Sequence, residues 1–180
     1  MKHIGTQNIE TERLLLRRFS VLDAQHMYEN WARDPNVTQY LTWPPHESPE
    51  FTAKLLSDWV KQYENSDNYQ WCIELKATSQ AIGSIGAVKL FENIDAVKLG
   101  YCIGAAYWGK GLMTEALGAV IQFFFQKVGA HRIQAVHDVE NPASGRVMQK
   151  CGMEFEGKCR RAAENQRGIC DICLYGLVKE

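Results

Sequence analysis

Residues 104 to 116 read GAAYWGKGLMTEA, so Gly109 and Gly111 flank Lys110 just before a run with helical apolar spacing. Glycine lacks the Cβ that would keep an anion off the main chain, and a helix N-terminus offers unpaired N–H groups and the positive end of a dipole. A strand, a glycine turn and a helix in that order form a candidate anion cradle, to which Lys110 adds charge. A plain strand-to-helix turn with unusual dihedrals would use the same glycines, and the loop alone leaves both readings open. Two known phosphate loops are approached and missed. Gly104-x4-Gly109-Lys110 is followed by Gly111, so the hydroxyl that holds magnesium in a P-loop is absent. Gly109-x-Gly111-x-x-Thr114 lacks the third glycine of a dinucleotide fingerprint, and the strand before it is not the first of a βαβ unit.

A second constellation is Asn141-Pro142-Ala143-Ser144. Asn suits a helix N-cap and Pro the first helical position, so capping alone would account for this order and put Ser144 in the first turn. Arg146 and Lys150 then share one helix face, at i and i+4, either as a solvated face or in reach of a ligand phosphate. Cys170 and Cys173 form a CxxC, but CDICLYGLV reads as a strand, where i and i+3 point to opposite faces and chelate poorly. The histidines His3, His26, His46 and His131 show no ligand spacing, and no metal is expected.

The elements that must position these groups follow from periodicity. Arg13 to Phe19 reads as a first strand, and Val21 to Arg33 as a helix ended by Asp34-Pro35. A loop with Trp43-Pro44-Pro45 leads to a second helix with Ser48 at its N-cap and Pro49 at its first position. Its apolar residues Phe51, Leu55, Leu56, Trp59, Val60 and Tyr63 recur at helical spacing. Strands are expected at 70–75, 81–90 and 97–103, a largely buried helix at 112–128, and a strand at 132–139. A short helix at 142–150 and strands at 153–159 and 169–178 complete the chain. A meander followed by alternating strands and helices is an α/β domain with a mixed sheet, here of about seven strands and four helices. No repeat or linker divides the 180 residues, so a single domain is expected over residues 1–180.

Bulk properties exclude some functions. A net charge of -1, from 20 basic and 21 acidic residues, supplies no field for general nucleic-acid or membrane binding. The N-terminus has no long apolar stretch of the signal-peptide kind, and no run approaches the ~20 residues of a spanning helix. A cytoplasmic protein is expected, its six cysteines mostly reduced and packed as small hydrophobes. The apolar final strand would pair readily if exposed at an edge, so a homodimer is conceivable.

A wider pattern adds chemistry. LGYCIGAAYWGKGLMTEAL, followed by NPASGRVMQKCGMEFEG, resembles the GNAT superfamily of N-acetyltransferases, in which the segment Q/R-x-x-G-x-G/A binds the pyrophosphate of acetyl-CoA. IETERLLLRRF, DPNVTQYLTWPPH and CDICLYGLV look like its Rim-type branch of ribosomal-protein N-terminal acetyltransferases, and the likeness covers about residues 9–178. Trp108 stands where that pattern has Gln or Arg, and Met113 where it has Gly or Ala. Main-chain N–H groups do most of such binding, so neither change should abolish it.

The resemblance implies the GNAT fold and a cofactor site of Trp108, Gly109, Lys110, Gly111, Leu112, Met113 and Thr114. Tyr101, Cys102 and Ile103 would present main-chain groups to the pantetheine arm, beside a gap opened by splaying from the 132–139 strand. Asn141 would contact cofactor or substrate. Met148 occupies the position of the tyrosine acid used by many of these enzymes, and the Rim branch points instead to Ser144 as proton donor. Glu92, His137, Asp138, Glu140 and Glu164 are candidate bases by charge alone. Trp43 lies where the superfamily builds its acceptor-side wall, with packing an equal role for it. The implied reaction moves acetyl from acetyl-CoA to a primary amine and releases coenzyme A. The acceptor would be a peptide or protein N-terminus, with a small amine as the near alternative. A coenzyme A-binding module without turnover is the rival of a different class.

Overall fold

The structure is a computed structural model, and it describes residues 1–179. Eight strands form one sheet in the order β1-β2-β3-β4-β5-β6-β8-β7. They are β1 Ile9–Glu10, β2 Leu14–Arg17, β3 Gln70–Leu75, β4 Gln80–Phe91, β5 Ala96–Ile103, β6 Arg132–Asp138, β7 Glu154–Asn165 and β8 Gly168–Val178. The sheet has one strand more than expected, because Ile9–Glu10 pairs as a two-residue edge with Leu15 and Leu16. Every pairing is antiparallel except β5 with β6. That parallel pair is joined through a helix, as a parallel crossover requires.

Five α-helices cover the sheet: α1 Ala24–Met27, α2 Pro35–Thr38, α3 Pro49–Gln62, α4 Leu112–Phe123 and α5 Pro142–Lys150. The expected helix at 21–33 is broken into a 3-10 turn at Val21–Asp23, α1, and a wide turn at Tyr28–Ala32. Ser20 and Asp23 form a reciprocal capping box at its start. At α3 the Ser48 hydroxyl accepts from Phe51 N–H at 3.2 Å and Pro49 takes the first position, as the sequence predicts. Leu56 and Tyr63 are buried, whereas Phe51 is exposed.

Two cores sit on opposite faces of the sheet. Leu14, Trp71, Ile85, Val97 and Ile133 pack under α4 and α5, against Leu117, Val120, Phe124 and Met148. Phe19, Met27, Trp31, Leu56 and Cys72 pack on the other side under α1 and α3. Apolar residues all round α4 suit its place between sheet and neighbours. Its chain continues as a wide turn at Phe124–Val128 and is closed by Gly129 at φ 81°. Among the described residues, no helix is long and apolar enough to cross a membrane.

Candidate active site

The parallel ladder between β5 and β6 runs only from Ala96–Arg132 to Leu99–Ala135. Beyond it β5 stays on β4 as far as Ile103–Gly83, while β6 stays on β8 as far as Asp138–Ile172. The expected gap between the two strands is therefore present, and its direction follows from the hydrogen bonds around it. Gly104 N–H donates to Ile82 C=O at 2.9 Å. Antiparallel alternation then turns the main-chain groups of Tyr101 and Ile103 away from β4 and into the gap, and those of Cys102 toward β4. The cysteine side chain also lies outside the gap, with its sulfur 3.4 Å from the Ser84 hydroxyl. Its thiol pKa is pushed up by burial. Of the three strand residues, only Tyr101 and Ile103 are brought to the site.

The glycine loop closes one end of the gap. Gly109 and Gly111 have φ of 73° and 75°, the left-handed region that glycine enters without a Cβ clash. No Cβ neighbour lies within 4 Å at Gly109, so its surface is open. From Gly109 to Thr114 no main-chain N–H finds an acceptor among the described residues. The first intrahelical bond starts at Glu115 N–H, which donates to Gly111 C=O at 3.0 Å. This row of free donors at the head of a twelve-residue helix suits a pyrophosphate. Leu112 and Met113 bury their side chains in the core, so only their N–H groups face the site. The exposed Trp108 donates from its indole to Ile103 C=O at 2.9 Å and ties the loop to the strand end. Lys110 is exposed beside the Tyr107 ring, at 5.7 Å from its centroid.

The edge of the gap is Asn141 to Ser144. Asn141 occupies the N-cap and Pro142 the first position of α5, but the asparagine side chain makes no capping bond. Ser144 does not cap either: its hydroxyl donates to Tyr101 Oη at 3.0 Å, and the phenol donates to Ser144 C=O at 3.0 Å. Burial raises the Tyr101 pKa well above its ordinary value and outweighs the Ser144 hydrogen bond, so the phenol stays protonated. Capping thus explains the proline and neither polar side chain. Met148 is a core residue.

The candidate bases separate in space. Glu92 lies beyond the opposite end of β5 and pairs with His3 at 2.9 Å, far along the sheet from the gap. His137 is buried beneath α5, its Nε2 2.6 Å from where a Cβ on Gly145 would lie, and its Nδ1 bonds Asp138 C=O at 2.7 Å. Glu164, expected in a loop, is in β7 opposite Ile169. Asp138 is buried at the end of β6, accepting from Asn165 Nδ2 at 2.7 Å and Glu140 N–H at 2.8 Å. Asp138 and Glu140 line an open cleft of about 340 Å³ with Lys158, Arg167 and Asp171. Tyr40 borders it: its hydroxyl donates to Glu140 C=O at 3.0 Å, and Arg167 lies over its ring at 5.4 Å. Trp43 packs beside His46 at 5.1 Å, in the same stretch between α2 and α3. Arg146 and Lys150 are exposed on α5. Cys170 and Cys173 are free thiols, and no cluster of three metal-ligating side chains exists among the described residues.

Sequence reasoning missed three groups that shape this site. They are the Tyr101 phenol, beside its expected main chain, and Arg13 and Glu115, whose sequence context announces only a strand residue and a helix residue. Arg13 Nε donates to Glu115 Oε2 at 2.7 Å across 102 residues of sequence, which no local pattern announces.

A family model described as "Acetyltransferase (GNAT) domain" matches residues 13–154. The N-acetyltransferase YoaA of Bacillus subtilis is 30% identical over 171 residues, covering 95% of this chain and 96% of that protein. The [ribosomal protein uS5]-alanine N-acetyltransferase of Escherichia coli is 44% identical over 65 residues, 36% of this chain and 34% of that one. The structure of the ribosomal L7/L12 α-N-protein acetyltransferase RimL with coenzyme A superposes with a TM-score of 0.84 at 19% identity, covering 96% and 98% of the two chains, a likeness of fold.

Proposed function

Because this chain belongs to the GNAT family of acetyltransferases, whose members use acetyl-CoA, we propose that it acetylates the N-terminal amine of a peptide or protein. The observation that carries the reading is the gap between β5 and β6, with free N–H groups from Gly109 to Thr114 at one end and Ser144 at its edge. Acetyl-CoA brings an acetyl group already activated as a thioester. The N–H row would hold its pyrophosphate, with Lys110 adding charge. Tyr101 and Ile103 would offer main-chain groups to the pantetheine arm, and the uncommitted Asn141 side chain would face ligand.

Ser144 is the candidate donor of the proton that a departing thiolate needs. Its hydroxyl is held by the Tyr101 phenol, whose own proton is engaged by Ser144 C=O. Its single proton rests on Tyr101 Oη and would have to turn from the phenol to the departing sulfur, leaving the phenol oxygen free to accept from another donor. An amine must be neutral to attack, so the proton of its ammonium form would first pass to a base or a chain of water. The E. coli relative that acts on a ribosomal-protein alanine supports an N-terminal acceptor.

The test is isothermal titration with acetyl-CoA beside magnesium-ATP and NADH, followed by mass spectrometry of peptides with free and blocked N-termini. Binding of acetyl-CoA alone, with acetylation only of free termini, is the expected result. Acetylation of small amines but of no peptide would replace the acceptor class. Binding without turnover on any amine would leave a coenzyme A-binding module.

A further inference from the structure

We infer that Arg13 is a positioning residue for the anion loop, holding the Lys110–Gly111 peptide and Glu115 so that the loop's N–H groups face a bound pyrophosphate. The inference rests on the cofactor reading above and adds to it a residue from the far end of the sequence.

Arg13 immediately precedes β2 and reaches across the head of α4 with three separate donors. Its Nη1 donates to Lys110 C=O at 2.9 Å, its Nε to Glu115 Oε2 at 2.7 Å, and its main-chain N–H to Glu115 Oε1 at 2.9 Å. Thr11 Oγ1 adds a donation to Glu115 Oε1 at 2.6 Å. In a trans peptide the C=O and the following N–H point in opposite directions. Fixing Lys110 C=O toward Arg13 therefore aims Gly111 N–H away from it, to the open side of the loop. Without that anchor, the peptide between two left-handed glycines is free to turn its carbonyl, an anion-repelling group, into the cradle.

Glu115 presents the second problem that Arg13 solves. A carboxylate in the first turn of α4 stabilises the helix but repels an anion bound at the same end. Here both its oxygens are occupied by donors from the β2 side. Burial works to raise its pKa, yet the hydrogen bonds from Thr11 and Arg13 prevail and hold it below the ordinary carboxylate value. The charge is thus neutralised by Arg13 and turned from the loop. The same guanidinium has Nη2 3.6 Å from where a Cβ on Gly111 would lie, so its charge sits beside the loop.

The experiment compares Arg13→Ala and Arg13→Lys with the parent protein, titrated with acetyl-CoA and with S-acetyl-pantetheine, which lacks the pyrophosphate. Lysine keeps the charge but has no fork to bond Lys110 C=O and Glu115 together. Both variants should bind acetyl-CoA about tenfold more weakly or worse, roughly the effect of losing one charge-assisted hydrogen bond, with S-acetyl-pantetheine unchanged within about twofold. If Arg13→Ala does not fold, Arg13→Lys decides. Parental affinity for acetyl-CoA in Arg13→Lys would overturn the inference, because charge alone would then suffice. An equal loss for both ligands would also overturn it, because the effect would be general. Failure of the parent protein to bind acetyl-CoA would overturn the cofactor reading itself.

Discussion

Tyr101 and Ser144, 43 residues apart, are joined by two hydrogen bonds of 3.0 Å, one running in each direction. The phenol spends its proton on the serine carbonyl and accepts the serine hydroxyl, so it fixes both the first turn of α5 and the rotamer of the side chain. The pair ties β5 to α5 at the edge of the gap between β5 and β6. A short helix in that position would otherwise hold its first-turn serine only loosely.

Replacing Ser144 with alanine should separate binding from chemistry. Acetyl-CoA affinity should stay within about twofold, while turnover on an accepted amine falls by about a hundredfold, the usual scale for losing a positioned acid. Titration calorimetry and thiol release measure the two quantities. Parental turnover in this variant would remove the serine from the mechanism.

Gly111→Ala should fold and bind poorly. Its φ of 75° costs a residue with a Cβ about 1 kcal/mol, and the nearest atom, Arg13 Nη2 at 3.6 Å, is an ordinary contact. A melting temperature lower by a few degrees is expected from that strain in a chain of this length. The added methyl also abuts the guanidinium that anchors Lys110 C=O, and the strained φ turns the loop's N–H groups off their aim, so acetyl-CoA affinity should drop with it. A variant that binds as the parent does would show the cradle to be a turn and nothing more.

Arg17 holds a buried acid on the other face of the sheet. It donates to both oxygens of Asp23 at 2.7 and 2.8 Å and to Glu74 at 2.5 Å, and the Asp23 side chain is only 7% exposed. Arg17→Ala would leave that carboxylate buried with the Ser20 N–H as its remaining partner. A loss of about 3 kcal/mol in chemical denaturation is expected, at the lower end for a broken buried pair because the arginine is partly exposed.

His46 should make stability depend on pH. Its Nδ1 shares a 2.8 Å hydrogen bond with the Thr52 hydroxyl. Burial lowers the imidazole pKa below its ordinary value. In the unfolded chain the ring protonates at about pH 6.5 while the folded ring is still neutral. The contribution of neutral His46 is therefore complete above about pH 6.5 and declines as pH falls below it, down to the depressed folded value. Unfolding free energies across that range should fall more steeply for the parent than for His46→Gln; identical slopes would exclude the residue as the cause.

The elements were legible where burial is periodic. Strand β3 and helix α5 fall on the expected residues, and α3 begins at the expected cap. The sequence places the end of β7 at Cys159 because the following Arg160-Arg161-Ala162-Ala163-Glu164 shows no apolar alternation; pairing with β8 carries the strand on to Asn165. The break within residues 21–33 was also hidden, since its apolar spacing is that of one helix.

By itself the sequence determined the order of strands and helices, the glycine loop before α4, and the spacing that sets Ser144 after Asn141. These are local properties: side-chain periodicity, capping chemistry and the dihedral freedom of glycine act over a few residues. Only the tertiary structure decided where the β5–β6 ladder stops, that Ser144 meets the Tyr101 phenol, that His137 lies under α5, and that Arg13 reaches Lys110 and Glu115. Each of these depends on strand register and helix packing between segments far apart in the chain. A one-residue shift of register turns a strand side chain to the opposite face, so residue type alone carries no record of the partner it will meet.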